Sequence, residues 1–302
     1  MKCTRCKQKA VVALPSHTAG FCPQCFLLFF ERQVQKAIKD KKLFTHDDRI
    51  IIALSGGKDS LALAWQLKKL GYDITGLHID LAIPRSSPQA RDQVQKFCQE
   101  NSIELHVLEM QKIGLPIPRV RAGIKRPVCS ICGKIKRYFF NKFALDNGFN
   151  VLATGHNLDD ETARLFSNIL RWDEAHLGDQ GPLLPEEKGF IRKVKPLYRL
   201  SEFETANFCF LAGIDYGWTP CPYSSGASFT YYKTLIHDLE HNQPGRKLSF
   251  YEGFLQRGRQ GFTRLDVERG RELSPCEICG YPTSADTCGV CRVKSMLEKN
   301  SG

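Results

Sequence analysis

The chain has 302 residues, of which 42% are hydrophobic and 25% are charged. A chain of this length buries a sizeable core, in one large domain with small appendages or in two domains. Its formal net charge of +11 and isoelectric point near 9.0 favour a polyanionic partner, because clustered Lys and Arg release counterions from phosphate backbones.

The sequence contains no run of about 18 apolar residues, which excludes a membrane-spanning helix. It opens with Met-Lys-Cys and not with a secretory signal. We therefore expect a cytoplasmic protein without a membrane partner. In that reducing compartment the thirteen cysteines are predicted to bind metal and not to form a disulfide framework.

Each end of the chain carries two Cys-x2-Cys pairs. Such pairs match the closed, tetrahedral coordination of structural zinc, so we expect a zinc ribbon at each end, with a role in stability or docking. The predicted ligands are Cys3, Cys6, Cys22 and Cys25 at the amino end and Cys276, Cys279, Cys288 and Cys291 at the carboxyl end.

Strands alternate with helices between the two ribbons. The segment 30–44 has helical periodicity and predicts a connecting helix. Apolar runs predict strands at 50–54, 73–80, 103–110 and 149–156, with helices at 61–70, 89–101 and 133–147. This alternation predicts an α/β fold with a parallel sheet, right-handed crossovers and helices on both faces.

A glycine-rich turn joins the strand at 50–54 to the helix that follows. The segment 55–60 reads Ser-Gly-Gly-Lys-Asp-Ser. Its glycines let backbone N–H groups approach phosphate oxygens, and the helix N-terminus adds a positive dipole end. Asp59 is suited to hold Mg²⁺ directly or through water. The spacing of a Walker A loop is missing, so the choice is between another kind of nucleotide loop and an ordinary connecting turn.

Five cysteines lie outside the ribbons. Cys98 and Cys209 fall on apolar stripes at helical spacing and are predicted to be packed thiols. Cys129 and Cys132 lie one helical turn apart, and Cys221 stands between two prolines on a predicted loop. Three thiols are too few for a closed zinc site. They suit an iron–sulfur cluster with one open iron, or a redox pair with a third thiol.

Positive charge surrounds the cysteine pair, since no acidic residue occurs from Met110 to Leu145. The basic residues of this stretch are Lys112, Arg119, Arg121, Lys125, Arg126, Lys134, Lys136, Arg137 and Lys142. They favour a phosphate-tracking groove over a merely solvated face. The tail adds Arg246, Lys247, Arg257, Arg259, Arg264, Arg269 and Arg271. Tyr231 and Tyr232 offer rings for stacking on an unpaired base, or alternatively belong to the core.

The order of these motifs resembles the tRNA 2-thiouridine synthetases of the TtuA branch of the TtcA/TtuA family. Segment 55–60 matches the PP-loop of the ATP pyrophosphatase superfamily, and Cys-Ser-Ile-Cys at 129–132, Ala-Thr-Gly-His-Asn-Leu-Asp-Asp-Glu at 153–161, Cys221 and the terminal ribbons complete the pattern. The resemblance covers essentially the whole chain. Some members have a histidine among the first ribbon's ligands where this chain has only cysteines, and both sets bind zinc tetrahedrally.

The resemblance implies roles for individual residues. Cys129, Cys132 and Cys221 would hold a [4Fe-4S] cluster whose fourth iron is free to carry sulfide. Lys136, which shares a helix face with Cys132, would be a catalytic cation that neutralises charge on the adenylated oxygen or the departing phosphates. Asp160 would be catalytic too, binding magnesium or supporting that lysine. Without the resemblance they are one lysine of a basic helix and one acid at a helix N-terminus.

The resemblance also implies the nucleotide contacts. Ala53 and Ile79 would touch the adenine end from the strand tips, and Gly155 would let the nucleotide approach the fourth strand. The implied ATP-binding set is Ala53, Ser55, Gly56, Gly57, Lys58, Asp59, Ser60, Ile79, Lys136, Gly155 and Asp160. The implied domains are an N-terminal ribbon at 1–30, a connecting helix at 31–48, a PP-loop catalytic domain at 49–222, a basic helical tail at 223–271 and a C-terminal ribbon at 272–302.

The function implied is ATP-dependent tRNA thiolation. The enzyme would adenylate the C2 carbonyl of a uridine, at T-loop position 54, and replace its oxygen with sulfur. A thiocarboxylated ubiquitin-like protein or sulfide would be the donor, and the enzyme would be a homodimer. Three alternatives stay open: thiolation of the wobble uridine by the same motifs, a sulfur-free PP-loop ligase, and a non-catalytic, zinc-stapled RNA-binding protein.

Overall fold

The computed structural model describes residues 1–187, 189–217, 219–224, 228–262 and 273–299. The chain opens with a hairpin of β1 (Val12–Leu14) and β2 (Ala19–Phe21), which leads into helix α1 (Pro23–Lys41). Pro23 takes the first helical position, where its missing N–H costs nothing. The helix therefore begins earlier than the segment 30–44 predicted from periodicity, and Cys25 lies in its first turn.

A six-stranded sheet follows, with the order β5-β4-β3-β6-β8-β7. All neighbouring strands pair in parallel except β7 and β8, which are antiparallel. The strands are β3 (Ile50–Ala53), β4 (Ile74–Asp80), β5 (Glu104–Glu109), β6 (Val151–Thr154), β7 (Leu183–Leu184) and β8 (Arg192–Val194). The parallel α/β fold is confirmed, and it includes two short strands, β7 and β8, that the sequence did not reveal.

Helices cover both faces of this sheet. The helices up to residue 212 are α2 (Lys58–Lys69), α3 (Ser86–Glu100), α4 (Met110–Ile113), α5 (Ile117–Gly123), α6 (Val128–Asp146), α7 (Leu158–Leu170), α8 (Glu174–Gly178) and α9 (Glu202–Ala212). Successive side chains of β3 point to opposite faces. Ile50 and Ile52 belong to the core that contains Phe30 and Phe208, whereas Ile51 packs with Ala144 of α6.

The C-terminal part adds helices and the second ribbon. Helix α10 (Ser228–Asn242) and helix α11 (Arg246–Gly253), followed by a π-helical turn at Phe254–Gly258, lie against α7. The second ribbon contains β9 (Ser274–Pro275), β10 (Pro282–Thr283) and α12 (Gly289–Lys299), and it packs on α5 and α6. None of the described helices is both long and apolar enough to cross a membrane.

Candidate functional site

The segment 55–60 forms a compact turn at the carboxyl end of β3. Ser60 Oγ accepts a hydrogen bond from Ser55 N at 3.1 Å and donates to Gly57 O at 3.0 Å, and Gly57 N donates to Ser55 Oγ at 3.3 Å. These bonds fix the turn at the N-terminus of α2, where the free N–H groups and the helix dipole favour an anion. The structure thus gives this segment the geometry of a phosphate-binding loop.

Two glycines are required by the packing of this loop. Gly56 has a φ of +82°, which a side chain adopts only with strain, and an added Cβ would lie 3.0 Å from Ala90 O. Gly155 follows β6, and a Cβ there would lie 2.8 Å from both Asp59 C and Ser60 N. The space beside Gly155 is therefore filled by the backbone of α2, so close strand–helix packing explains this glycine in addition to the predicted access for a nucleotide.

A buried asparagine links the loop to the start of α7. Asn157 Nδ2 donates to Asp59 Oδ1 at 3.0 Å, while Asn157 Oδ1 accepts from Asp160 N at 3.1 Å and Asp160 Oδ2 accepts from Asn157 N at 3.2 Å. The last two bonds form a capping box. Asn157 thus holds both carboxylates, that of Asp59 through its side-chain amide and that of Asp160 through its backbone N–H. Sequence analysis missed Asn157, although an Asn three residues before an Asp is a recognisable helix start.

The ion pair of Asp160 is with Lys233 of α10. Lys233 Nζ lies 2.6 Å from Asp160 Oδ1 and also contacts the carboxylate of Glu202. Burial alone would raise the pKa of Asp160, but Lys233, His156 and the backbone N–H of Asn157 together outweigh it and the pKa is lowered. In this structure the cation paired with Asp160 is therefore Lys233 of the C-terminal helix, and the roles expected of Asp160, binding magnesium or supporting Lys136, stay predictions.

The two acids beside Asp160 fasten the C-terminal helices to α7. Asp159 forms a buried ion pair with Lys247 of α11 and accepts from Glu202 N at 2.8 Å. Glu161, also buried, accepts from Tyr251 Oη at 2.6 Å. Lys247 is consequently a structural residue and not part of an exposed basic tail.

The three remaining motif cysteines come together from two distant segments. Cys129 and Cys132 lie in the first turns of α6, and Cys129 Sγ is 3.4 Å from the carbonyl oxygen of Tyr223, which is 94 residues away in the chain. Burial raises the pKa of Cys132, and the nearby thiols of Cys221 and Cys129 raise it further, while Lys136 lowers it. The thiols of Cys129 and Cys221 are therefore near enough to act on Cys132, and Cys132 and Cys221 pack against the same buried cluster. Their assignment as ligands of an iron–sulfur cluster stays a prediction.

The nucleotide loop and this thiol group are connected through the backbone. Gly217 N donates to Gly56 O at 2.9 Å, four residues before Cys221 in the chain. The segment that carries Cys221 is thereby tied to the loop. Lys136 is half-buried on α6, and within the described part of the chain no carboxylate lies in ion-pair distance of it. Lys136 thus acts on the charge of Cys132 and has no ion-pair partner among the described residues.

The terminal cysteines form two four-thiol groups. In each group all four sulfurs lie within 4.8 Å of one another: Cys3, Cys6, Cys22 and Cys25 in one, and Cys276, Cys279, Cys288 and Cys291 in the other. Four thiols at this spacing fit one tetrahedral ion with Zn–S bonds of about 2.3 Å. The backbone N–H of Cys288 donates to Cys276 Sγ at 3.2 Å, and together with the N–H groups of Ile278 and Cys279 it lowers the pKa of that thiol to about 6. Burial raises the pKa values of Cys288 and Cys291 in the same group.

The remaining predictions have mixed outcomes. Cys98 and Cys209 are buried in the core, as predicted. Ala53 ends β3 half-buried, and the side chain of Ile79 is buried among apolar residues that include Ile131. A cavity of 270 Å³ opens beyond Ile79, at the carboxyl ends of β4 and β5, between Asp80, Ile83, Arg91 and Glu109.

Most of the predicted basic face is exposed. The exposed members around the thiols are Lys112, Arg119, Arg121, Lys125, Arg126, Lys134 and Arg137, whereas Lys136 and Lys142 are half-buried. In the tail, Arg246 and Arg257 are exposed, and Arg264, Arg269 and Arg271 lie outside the described residues. Tyr231 is 63% exposed on α10, and Tyr232 packs edge-on against Phe166.

Comparison with known proteins agrees with this geometry. Residues 27–220 match the PP-loop domain, and residues 2–27 match the N-terminal LIM domain of the 2-thiouridine synthetase TtuA. The tRNA-5-methyluridine(54) 2-sulfurtransferase of Pyrococcus horikoshii is 40% identical over 97% of this chain and 93% of its own length, and that of Thermus thermophilus is 42% identical over 97% and 91%.

A solved structure is also similar. The U34-tRNA thiolase NcsA from Methanococcus maripaludis, with its [4Fe-4S] cluster, superimposes with a TM-score of 0.81 at 27% identity, covering 100% of this chain and 97% of that one. The chain therefore belongs to the family of PP-loop 2-thiouridine synthetases that includes the tRNA-5-methyluridine(54) 2-sulfurtransferases.

Proposed function

We propose that this protein is an ATP-dependent tRNA 2-sulfurtransferase that replaces the C2 oxygen of the uridine at tRNA position 54 with sulfur. The observation that carries the proposal is the meeting of Cys129, Cys132 and Cys221 beside a phosphate-binding loop. The relatives at 40% and 42% identity that are named for this reaction support it.

The donor set fits an iron–sulfur cluster better than a single metal ion. Two ligands of one zinc ion can be at most about 4.6 Å apart, since each Zn–S bond is about 2.3 Å. The sulfurs of Cys129, Cys132 and Cys221 are not grouped within 4.8 Å of one another, unlike those of the two terminal groups. We therefore assign a [4Fe-4S] cluster to these three thiols. When bound, the cluster would supply sulfur as the nucleophile for the uridine carbon.

ATP would bind with its triphosphate at the segment 55–60. Backbone N–H groups at the start of α2 and the ammonium of Lys58 would meet phosphate oxygens. Asp59 and Asp160, which Asn157 holds in place, are the residues suited to Mg²⁺. Attack of the uridine C2 oxygen on the α-phosphorus would break the bond to the β-phosphate, release pyrophosphate and leave that oxygen adenylated, which makes C2 open to attack.

Lys136 would act in the second half of the reaction. Its charge acts on Cys132, and it has no carboxylate partner among the described residues, which supports this role. When sulfur adds to C2 and the C–O bond breaks, negative charge returns to the departing AMP. A cation placed there stabilises that charge as it develops, which is the largest contribution a fixed side chain makes to such a step.

The tRNA would lie along the exposed basic residues of α5 and α6. Phosphate contacts from lysines and arginines position a nucleic acid without reading its sequence. A uridine that reacts at C2 must leave its stack, and the exposed ring of Tyr231 offers a surface for a displaced base.

We further propose two structural zinc ions in the terminal ribbons, a homodimer, and a cytoplasmic location. A thiocarboxylated ubiquitin-like protein or sulfide would renew the sulfur. The four-thiol groups support the zinc assignment, and the family resemblance supports the donor and the dimer.

A second candidate is thiolation of the wobble uridine. The structural similarity to NcsA favours it, because NcsA is a thiolase of U34, the wobble position. The same chemistry would serve either position. The higher identity to the position-54 enzymes favours position 54.

The test is product mapping. Protein purified without oxygen is incubated with ATP, sulfide and unmodified tRNA, and the 2-thiouridine is located by nuclease digestion and mass spectrometry. Two control transcripts carry cytidine in place of uridine, one at position 54 and one at position 34. Loss of product only in the position-54 transcript supports the proposal, and loss only in the position-34 transcript supports the second candidate. Thiolation without ATP would contradict both.

A further inference from the structure

Two carboxylates and two ammonium groups alternate around the phosphate-binding loop. Lys58 Nζ lies 2.9 Å from Asp59 Oδ2, and Lys233 Nζ lies 2.6 Å from Asp160 Oδ1. The two pairs are joined by Asn157, which donates to Asp59 and caps the helix that begins beside Asp160. Each acid of the loop thus has its own lysine, one from the loop and one from the C-terminal helix α10.

Lys233 reaches this place from outside the PP-loop domain. Helix α10 packs on α7, and the Lys233 side chain lies over the ring of Phe229, 5.6 Å from its centroid. Burial would lower the pKa of Lys58, Asp59 raises it, and the charges of Glu202 and Lys233 act on it with opposite signs. The charge of Lys233 therefore acts on Lys58, although the two lysines come from different parts of the chain.

Magnesium-bound ATP offers an oppositely charged partner to each of these four side chains. Mg²⁺ takes carboxylate ligands together with phosphate oxygens, and lysine ammonium groups bind phosphate as compact point charges. The dication can therefore replace each ammonium at its carboxylate, while the triphosphate receives the two lysines that are released. The exchange supplies a new partner for each of these four charges, while Glu202, the second carboxylate that Lys233 contacts, has a side chain that is 39% exposed and is left to solvent.

We propose that Lys233 is a second triphosphate-binding lysine, supplied by helix α10, which leaves Asp160 for the phosphates when Mg²⁺-ATP binds. The inference rests on the proposed use of ATP and adds a residue from a part of the chain that the PP-loop match at 27–220 does not include. It also ties nucleotide binding to the helix that carries the exposed Tyr231.

The competing explanation is that Lys233 only stabilises the fold, and Lys247 is an example of a lysine with such a structural role. The Lys247 side chain is only 5% exposed and its pair with Asp159 is sealed between α7 and α11, whereas the Lys233 side chain is 25% exposed. The Lys233 side chain is thus more accessible to solvent than that of Lys247.

The test compares the binding of Mg²⁺-ATP and of adenosine by titration calorimetry, in wild type, Lys233→Met and Lys233→Arg. The control is Lys36→Met, which removes another Lys–Asp pair, an exposed one on α1. We expect Lys233→Met to weaken Mg²⁺-ATP binding roughly 10- to 100-fold, the range of a charged hydrogen bond, and to leave adenosine affinity within about threefold. Lys233→Arg should retain most of the ATP affinity, and the control should match wild type.

Two results would overturn the inference while leaving the proposed function intact. One is a Lys233→Met protein that binds Mg²⁺-ATP like wild type. The other is an equal loss for ATP and adenosine together with a lower unfolding midpoint, which indicates a structural role. If wild type itself did not bind Mg²⁺-ATP, the proposed function would fail first and the inference with it.

Discussion

Gly155→Ala tests the packing that positions the nucleotide loop. The added methyl carbon would lie 2.8 Å from Asp59 C and from Ser60 N, well inside the 3.5–4.0 Å at which carbon atoms pack. Both contacts are backbone atoms at the start of α2, which cannot rotate away as a side chain would. Overpacking of this kind costs about 1–3 kcal/mol, and the reduced entropy of the unfolded chain returns about 0.4–1 kcal/mol. We expect a net loss of about 1–2 kcal/mol.

Gly57→Ala is the matched control, in the same loop. Its Cβ would meet nothing closer than Ser55 Oγ at 3.5 Å, and its φ of −84° suits alanine. We expect its stability to stay within about 0.5 kcal/mol of wild type. Urea unfolding of the three proteins, followed by circular dichroism, gives the comparison. If Gly155→Ala were as stable as Gly57→Ala, the close approach of β6 to α2 would be refuted, and access for a nucleotide would be the better reason for this glycine.

Three further predictions concern the C-terminal helices and the buried acids. Lys247→Met leaves the buried carboxylate of Asp159 without its cation and should lower the free energy of unfolding in urea by about 3–5 kcal/mol. The double variant with Asp159→Asn should recover part of that loss. If the losses of the two single variants simply added in the double variant, the ion pair would be refuted. Burial raises the pKa of Glu204 to about 7, above its value in the unfolded chain, so this carboxyl supports the fold at acidic pH and the support is lost as pH rises toward 7 and beyond. Glu204→Gln should therefore gain stability over wild type near pH 8 more than near pH 5, and an equal effect at both would contradict the shift. Tyr231→Ala should leave the unfolding midpoint unchanged and weaken tRNA binding by about 1–3 kcal/mol in a filter-binding assay; unchanged binding would remove Tyr231 from the tRNA surface.

The central fold was predictable because its signals are local. The run of isoleucines in β3, the glycines of the loop and the helical periodicity of α2 lie next to one another in the sequence. The cysteine pairs at the ends likewise needed only their own spacing, and the structure brings each set of four together.

The partners of the acids at the start of α7 could not be predicted from local sequence signals. Asp159, Asp160 and Glu161 pair with Lys247, Lys233 and Tyr251, which come from α10 and α11. Nothing in the local sequence of a helix start says which distant helix will supply its cations. The basic tail therefore suggested RNA contact, whereas its Lys247 neutralises the buried carboxylate of Asp159.

Strands β7 and β8 were missed for a related reason. They have two and three residues, too short for an alternating pattern to be visible. They exist because β8 pairs with the edge of β6 and β7 pairs with β8, so tertiary context and not local propensity decides them.

The proposed sulfur transfer requires that Cys129, Cys132 and Cys221 hold one iron–sulfur cluster, and iron analysis tests this most directly. Iron and acid-labile sulfide are measured in protein purified without oxygen, for wild type, Cys221→Ala and the control Cys98→Ala, which removes a buried core thiol. We predict about four irons per chain in wild type and control, and a lost or degraded cluster in Cys221→Ala. No iron in any of the three, or an unchanged iron content in Cys221→Ala, would contradict the assignment of these thiols to a cluster.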